Sequence, residues 1–464
     1  MQVRYLSHAS FQFTSESGFR LLTDPWNYNP VHGHMLWQFP LNPVGEHEYV
    51  DQDAIYISHD HADHWCLRTL AHFRRDIPIV IRKYGAHIAM AQELCRNGFH
   101  NIIELDDGES RHLAPDLEVT LFIDPATTDS ALVVSDATGH VFDQNDCMLP
   151  DTTCARIRAR FDIDLALVCL ASASIYPTFF VMPEVEKEHA AALRDRKVMD
   201  RALHFATSVG ATAATPCASD LLYFRWPETD RWFGPLPAEF REYAASAAPH
   251  LRILTPAPGT SMQIGALPDA LTPLHANRAE WINDIRAFRE DPEVAAVCAE
   301  LEAWEHSFAF DPSRFLHTMS EHLAETTTNW DARFGGTAWE ASGWTVVWVL
   351  RDERETYTYT MRLSPCDGGS ASIAIGDCDD WDMRLTMDAC MMQMVLDGSL
   401  SIPDVRGGFM TIERRGDMTP DEGAFWQVCA QFTDHLLRHG YAVLGHAQFD
   451  HRIPSWNQQS VRFQ

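Results

Sequence analysis

Ala54-Ile55-Tyr56-Ile57-Ser58-His59-Asp60-His61-Ala62-Asp63-His64 runs from an apolar segment into three histidines and two aspartates. The apolar part reads as a short buried strand. Trp65-Cys66-Leu67-Arg68-Thr69-Leu70 reads as the opening of a helix. His59 and His61 are two apart at a strand end, so both imidazoles can point the same way. Asp63 and His64 fall where the chain turns into the helix and approach the same point from another side. Three imidazoles and a carboxylate meeting there suit a borderline divalent cation. A polar turn that is merely rich in histidine is the plain alternative. Strand, cluster and helix in succession favour the metal site.

Outward from that stretch, residues 1–26 read as two strands around Ser15-Glu16-Ser17-Gly18, the second ending at Asp24-Pro25-Trp26. Residues 27–48 read as a long loop of the kind that often binds or covers ligands. Its Trp37, with Trp26 and the later Tyr223, is a candidate wall for a substrate, or a cover for the sheet edge. Strands are predicted at 77–81, 102–105, 117–123, 131–134, 140–142 and 165–170, with helices at 67–75, 85–97 and 184–209. This alternation predicts a layered α/β domain.

The chain has 464 residues, 46% hydrophobic and 22% charged, the composition of a globular enzyme with two or three domains. Its net charge of -29 repels nucleic acid and anionic membranes, so neither is expected as a partner. An anionic substrate would need a local cluster of Arg, or metal, against that field. No apolar run approaches the ~20 residues of a spanning helix. Met1 to Leu6 reads as a strand and not as a signal peptide. The 11 cysteines form no Cys-x-x-Cys pair and read as reduced, mostly buried thiols. Cytoplasm is the simplest location.

His-x-His-x-Asp-His after a strand resembles the metallo-β-lactamase superfamily, which implies an αββα sandwich with a one- or two-metal site at its edge. Leu6-Ser7-His8-Ala9-Ser10-Phe11 followed by Leu21 to Trp26 looks like one branch of it. That branch holds sugar-lactonate lactonases, a phospholipase D for N-acylated phosphatidylethanolamine, and CMP-N-acetylneuraminate hydroxylase. The resemblance implies that His8 lies near the metals and shares a catalytic role with Asp146. It also implies that Asp124 replaces a histidine ligand and that Asp146 bridges, with Asp143 a competitor. His59, His61 and Asp124 would hold one metal, and Asp63 and His64 the other. Asp124 as a turn cap before Pro125 is the alternative. No histidine stands at Cys217-Ala218-Ser219-Asp220, where hydrolases of the family carry their last ligand. Together with Asn145-Asp146-Cys147 and Leu254 to Gly259, this layout is similar to the hydroxylase. Those hydroxylases carry a Rieske domain, whereas this sequence has no Cys-x-His pair. Electrons are then expected from an external donor or from the substrate.

The domain reading is a catalytic part at 1–265, a helical linker at 266–335 and a smaller α+β domain at 336–464, loosely similar to sterol-carrier-like domains. Met383, Met387, Met391, Met392 and Met394 read as core. The expected function is an iron-dependent, two-metal oxygenase or oxidase acting on a small polar substrate. The alternative is a binuclear zinc or manganese hydrolase of an ester, lactone or phosphodiester. A third reading makes the metal site vestigial and the C-terminal part an apolar-ligand module.

Overall fold

The computed structural model describes residues 1–32, 35–84, 90–171, 175–328, 344–363, 371–406, 408–416, 422–440 and 456–457. The start of the helix predicted over 85–97 and much of 441–464 lie outside them.

Two seven-stranded sheets face each other. The first runs, in spatial order, Ser261–Gln263, Gln2–Ser7, Ser10–Thr14, Arg20–Thr23, Ala54–Tyr56, Ile79–Arg82, Ile102–Leu105. The second runs Arg252–Ile253, Ala213–Cys217, Ile163–Cys169, Gly139–Asp143, Ser130–Asp136, Leu117–Ile123, Ser110–Ala114. Side chains alternate along each strand. Val3, Tyr5, Phe11 and Phe13 therefore meet Leu121, Leu132, Leu165 and Leu167 between the sheets. On the far face of the first sheet, Ile55, Ile57, Ile79 and Ile81 pack under Leu67, Leu70 and Leu94. On the far face of the second, Phe142, Ala166 and Val168 pack under Val198, Ala202 and Phe240 of two helices, Glu184–Ser208 and Pro237–Ala247. Both faces of these strands are covered, which is why Leu165 to Leu170 is an unbroken apolar run. The fold is the αββα sandwich that the sequence predicts, and a smaller α+β unit follows it.

The first predicted strand is in fact two, Gln2–Ser7 and Ser10–Thr14. The chain reverses at His8, whose φ of 55° lies in the left-handed region. The backbone N–H of His8 donates to Asp220 at 3.2 Å and its carbonyl accepts from Ala218 at 2.9 Å. Those bonds hold a conformation that a non-glycine residue rarely adopts.

A six-stranded sheet forms the third layer, in the order Phe180–Val181, Met410–Arg414, Met383–Asp388, Thr345–Arg351, Thr356–Arg362, Ser372–Ile375. Its edge strand Phe180–Val181 comes from just before helix Glu184–Ser208 and pairs in parallel with Met410–Arg414. Helices Pro312–Thr328 and Ala389–Leu396 cover it, and all five methionines named above are buried there. The 27–48 segment is anchored to its neighbours. Leu36–Gln38 pairs with Leu221–Tyr223, and Tyr28–Asn29 pairs with Trp456–Asn457.

Phe180 is buried in the hydrophobic core that runs from residues 26–39 into the six-stranded sheet. Phe180→Ala is expected to lower stability by about 3 kcal/mol. Denaturant titration followed by tryptophan fluorescence checks this, and an unchanged midpoint would contradict the packing.

Candidate metal centre

Parallel pairing places the ends of Arg20–Thr23 and Ala54–Tyr56 side by side, with Thr23 opposite Tyr56. Asp24 and His59 follow those ends. In the second sheet, Gly139–Asp143, Ile163–Cys169 and Ala213–Cys217 are also parallel, so Asp146 and Cys169 emerge on the same side. The two sheets thus deliver acids and imidazoles to one edge.

There the donors form two groups. His59, His61 and Asp146 offer atoms within 4.8 Å of one another, and so do His8, Asp63 and His64. Asp146 joins the groups, since its Oδ2 is also 3.5 Å from His64 Nε2. Asp124 is in neither group. Its Oδ1 accepts from the Ala126 N–H at 2.9 Å and its Oδ2 from the Thr127 hydroxyl at 2.9 Å. The turn that begins at Pro125 occupies that carboxylate, so the ligand set expected from the resemblance, His59, His61 and Asp124, is not the one brought together. Asp129, five residues on, lines the cleft beside His61 and Asp146 instead.

A hydrogen-bond chain fixes two of the rings. Asp24 accepts from the Ser58 N–H at 2.8 Å and from the Ser58 hydroxyl at 2.7 Å, and lies 2.8 Å from His64 Nδ1. A carboxylate only accepts, so His64 Nδ1 carries a proton. The Ser58 hydroxyl proton is spent on Asp24, so Ser58 Oγ accepts from His59 Nδ1 at 2.9 Å. Both rings then present an Nε2 lone pair to the centre, the tautomer that a ligating histidine needs.

His61 Nδ1–H donates to the His59 Nε2 lone pair at 2.7 Å. His64 Nε2 is buried and has no hydrogen bond among the described residues, an orphan that a cation would satisfy. The donor set therefore fits two bound cations. His8 Nε2 is 3.2 Å from Asp63 Oδ2, and the His8 ring is edge-on to Trp26 at 5.1 Å. His32, which the sequence reading passed over in the loop, is 2.7 Å from Asp63 Oδ1. No spacing rule would have found it, because it reaches the site across a turn of the 27–48 segment.

Charges follow the same crowding. Burial lowers the His59 imidazole well below its usual range, aided by His64 and His61. Burial also disfavours charged His64, but Asp146, Asp63 and Asp24 outweigh it and raise that imidazole well above its usual range. Burial pushes Asp63 and Asp146 up, yet His64 and the other imidazoles hold both below the usual carboxylate range. Burial, then the Asp146 charge, raise Asp129. Burial, then Asp24, hold Asp143 well above the range, outside both donor groups. The Cys169 thiol donates to Asp146 Oδ1 at 3.3 Å, and burial keeps that thiol protonated.

A cleft of about 1110 Å³ opens on His61, Asp129 and Asp146. One face of helix Glu184–Ser208, expected to be solvated, walls it. Trp26, Trp37 and Tyr223, expected to wall a substrate, do not line it. All three are at most 1% exposed, with Trp37 packed on Phe224 and Tyr223 between Phe179 and Phe233.

Residues 2–135 match the family described as "Beta-lactamase superfamily domain". A protein of Mycobacterium tuberculosis described as "Putative Rieske 2Fe-2S iron-sulfur protein" is 31% identical over 234 residues, 47% of this chain and 43% of that protein. A Mycolicibacterium smegmatis protein of similar description is 31% identical over 229 residues, with the same coverage. The chain thus spans less than half the length of these curated relatives. A metallo hydrolase of Ignicoccus hospitalis shares 17% identity over 56% of this chain and 97% of its own, with a TM-score of 0.39. An isothiocyanate hydrolase from Delia radicum gut bacteria shares 16% over 57% and 100%, with a TM-score of 0.41. Likenesses at that level say nothing of this chain's activity. Among the described residues no helix is long and apolar enough to cross a membrane.

Asp24→Asn keeps the shape but offers His64 an ambiguous partner, and is expected to weaken metal binding by roughly 10–100-fold. Asp129→Asn is expected to weaken it too, whereas Asp124→Asn leaves affinity unchanged. Competition with a chromophoric chelator measures all three.

Proposed function

We propose, on the premise of a beta-lactamase superfamily domain at residues 2–135, that the chain is a two-metal oxidoreductase. In this reading it is an iron-dependent oxygenase or oxidase acting on a small polar substrate, with electrons supplied from outside the described residues. The observation that carries the reading is the donor set. Asp63, Asp146 and the neighbouring Asp129 stand with His59, His61, His64 and His8, and neither group takes a histidine from 117–130 or 213–220. Each group sets two imidazoles with one carboxylate, a mixed set that suits non-haem iron. The description of the mycobacterial relatives as iron–sulfur proteins is a second support, since such clusters pass single electrons.

His59, His61 and Asp146 would hold one iron, and His64, Asp63 and His8 the other. Bound iron supplies the one-electron chemistry that reduction of dioxygen requires. The chain's own residues do the rest. Asp24 and Ser58 keep the lone pairs of His59 and His64 turned inward. Trp26 braces His8, and His32 holds the second oxygen of Asp63. Cys169, protonated, shares a proton with Asp146 without entering as a thiolate. Burial of His59, His64 and Asp63 excludes bulk water from one side of the centre.

The superfamily match at 2–135 favours a second reading, a zinc or manganese hydrolase of an ester, lactone or phosphodiester. The two part experimentally. The oxidoreductase reading expects iron to be retained in preference to zinc on expression with both. It also expects oxygen uptake on addition of reductant and a candidate substrate, lost in His59→Ala and Asp146→Ala. Turnover of an ester or phosphodiester by zinc-loaded protein in strict anaerobiosis, with no oxygen uptake by the iron form, would overturn it.

A further inference from the structure

Helix Glu184–Ser208 sets Arg194, Lys197 and Arg201 at spacings of three and four, which brings them to one helical face. All three line the cleft that opens on His61, Asp129 and Asp146, and His189 joins them. Glu186 is the acid that this helix contributes to the lining. In a chain of net charge -29, these cations offset the acids Asp129, Asp146 and Glu186 of the same lining.

The cations are not equally committed. Arg194 is held by Asp195 at 2.8 Å, by the Thr178 hydroxyl at 3.2 Å and by the Trp232 carbonyl, so it ties the helix to its neighbours. Among the described residues Arg201 donates one bond, from Nη2 to the Ala171 carbonyl at 3.2 Å, and its buried Nε has no hydrogen-bond partner. A buried guanidinium N–H without an acceptor is costly, and the oxygens of a carboxylate or a phosphate satisfy it. Lys197 is exposed and supplies a mobile second charge. Around these cations the cleft is apolar, lined by Met148, Met182, Val185 and Leu193. Val185 and Leu193 are 77% and 52% exposed, high for such side chains on a folded surface.

We propose that the cleft takes a substrate bearing an oxyanion, a carboxylate or a phosphate, beside an apolar body, with Arg201 and Lys197 gripping the anion. This deepens the oxidoreductase reading and rests on its placing of the reacting centre at His59, His61 and Asp146. The apolar part lies against Met182, Val185 and Leu193, and the anion fixes which carbon or nitrogen comes to the centre.

Calorimetric titration of the metal-loaded full chain with octanoate, octyl phosphate, octanol and octyltrimethylammonium tests it. At least one of the two anions is expected to bind at least about tenfold more tightly than octanol or the cation, from the added charged hydrogen bonds. Which anion wins separates carboxylate from phosphate. Arg201→Gln is expected to lose about that factor. The exposed Lys197→Gln is expected to lose less and to flatten the salt dependence, and it serves if the Arg201 variant folds poorly. Octanol binding as tightly as both anions overturns the proposal. So does anion binding that both variants retain and that disappears on chelation, because the metals alone would then be the anion's site. Heat of binding is read without turnover. Absent oxygen uptake would sink the iron reading and leave this result standing.

Discussion

His64 is held between three acids. Asp24 takes its Nδ1 proton at 2.8 Å, while Asp146 and Asp63 stand 3.5 and 3.7 Å from its Nε2. His64 and Asp63 are buried, and burial alone would push each to its neutral form. Before a cation binds, His64, Asp63 and Asp146 hold one another charged, and a bound cation would take the place of the His64 Nε2 proton. The strand topology supplies that closeness. Asp24 ends one strand of the first sheet, His64 follows the next, and Asp146 crosses from the second sheet. A site of this kind cannot be built on one element, because no single helix or hairpin brings so many acids against one imidazole.

Much of this was legible because strand ends leave signatures in sequence. The apolar run before His59 and the alternation around Leu121, Leu132 and Leu165 mark strands by period, and covered faces make them continuous. His59, His61, Asp63, His64 and Asp146 followed from being at those ends. Asp124 did not, although it too stands at a strand end. Its carboxylate meets the Ala126 N–H and the Thr127 hydroxyl within its own turn, and a local acceptor of that sort satisfies itself before it can reach across the sheet. Asp129 and His32 were illegible for the opposite reason. They arrive from irregular segments whose path is set by packing, not by periodicity. The aromatic residues misled in the same way. Trp37 stands in a segment that looks like a binding loop, but Leu36–Gln38 pairs with Leu221–Tyr223, and both Trp37 and Tyr223 are buried in the core.

That pairing shows what the C-terminal part does for the sandwich. The core that encloses Trp26, Trp37 and Tyr223 continues through Phe180 and Phe288 into Trp348, Leu385 and Met391. The six-stranded sheet therefore backs Trp26, which packs on His8, and the 27–48 segment, which carries His32 to Asp63. Its edge strand, Phe180–Val181, leads directly into the helix that walls the cleft. The third layer is thus mechanically connected to both sides of the donor groups. A disturbance of its packing would be transmitted to the ligand geometry through a continuous body of buried side chains, since close-packed interiors pass strain on.

The cleft helix carries the argument one step further. Read along the sequence, its Glu, Arg and Lys residues look like a surface that faces water, because alternating charge on a long amphipathic helix usually does. Its moment is divided, however. Ala202, Phe205 and Ala206 bury against the second sheet, while Arg201, Lys197 and His189 look onto the cleft. A residue that lines a cavity and one that faces solvent have the same polarity, so hydropathy cannot separate them. What separates them is the pairing of their charges. Arg196 is spent on Asp200 at the surface, at 3.2 Å, whereas among the described residues the buried Nε of Arg201 has no acceptor. Beside the two donor groups that N–H waits for an acceptor, and the cleft leaves room for an anion to supply one.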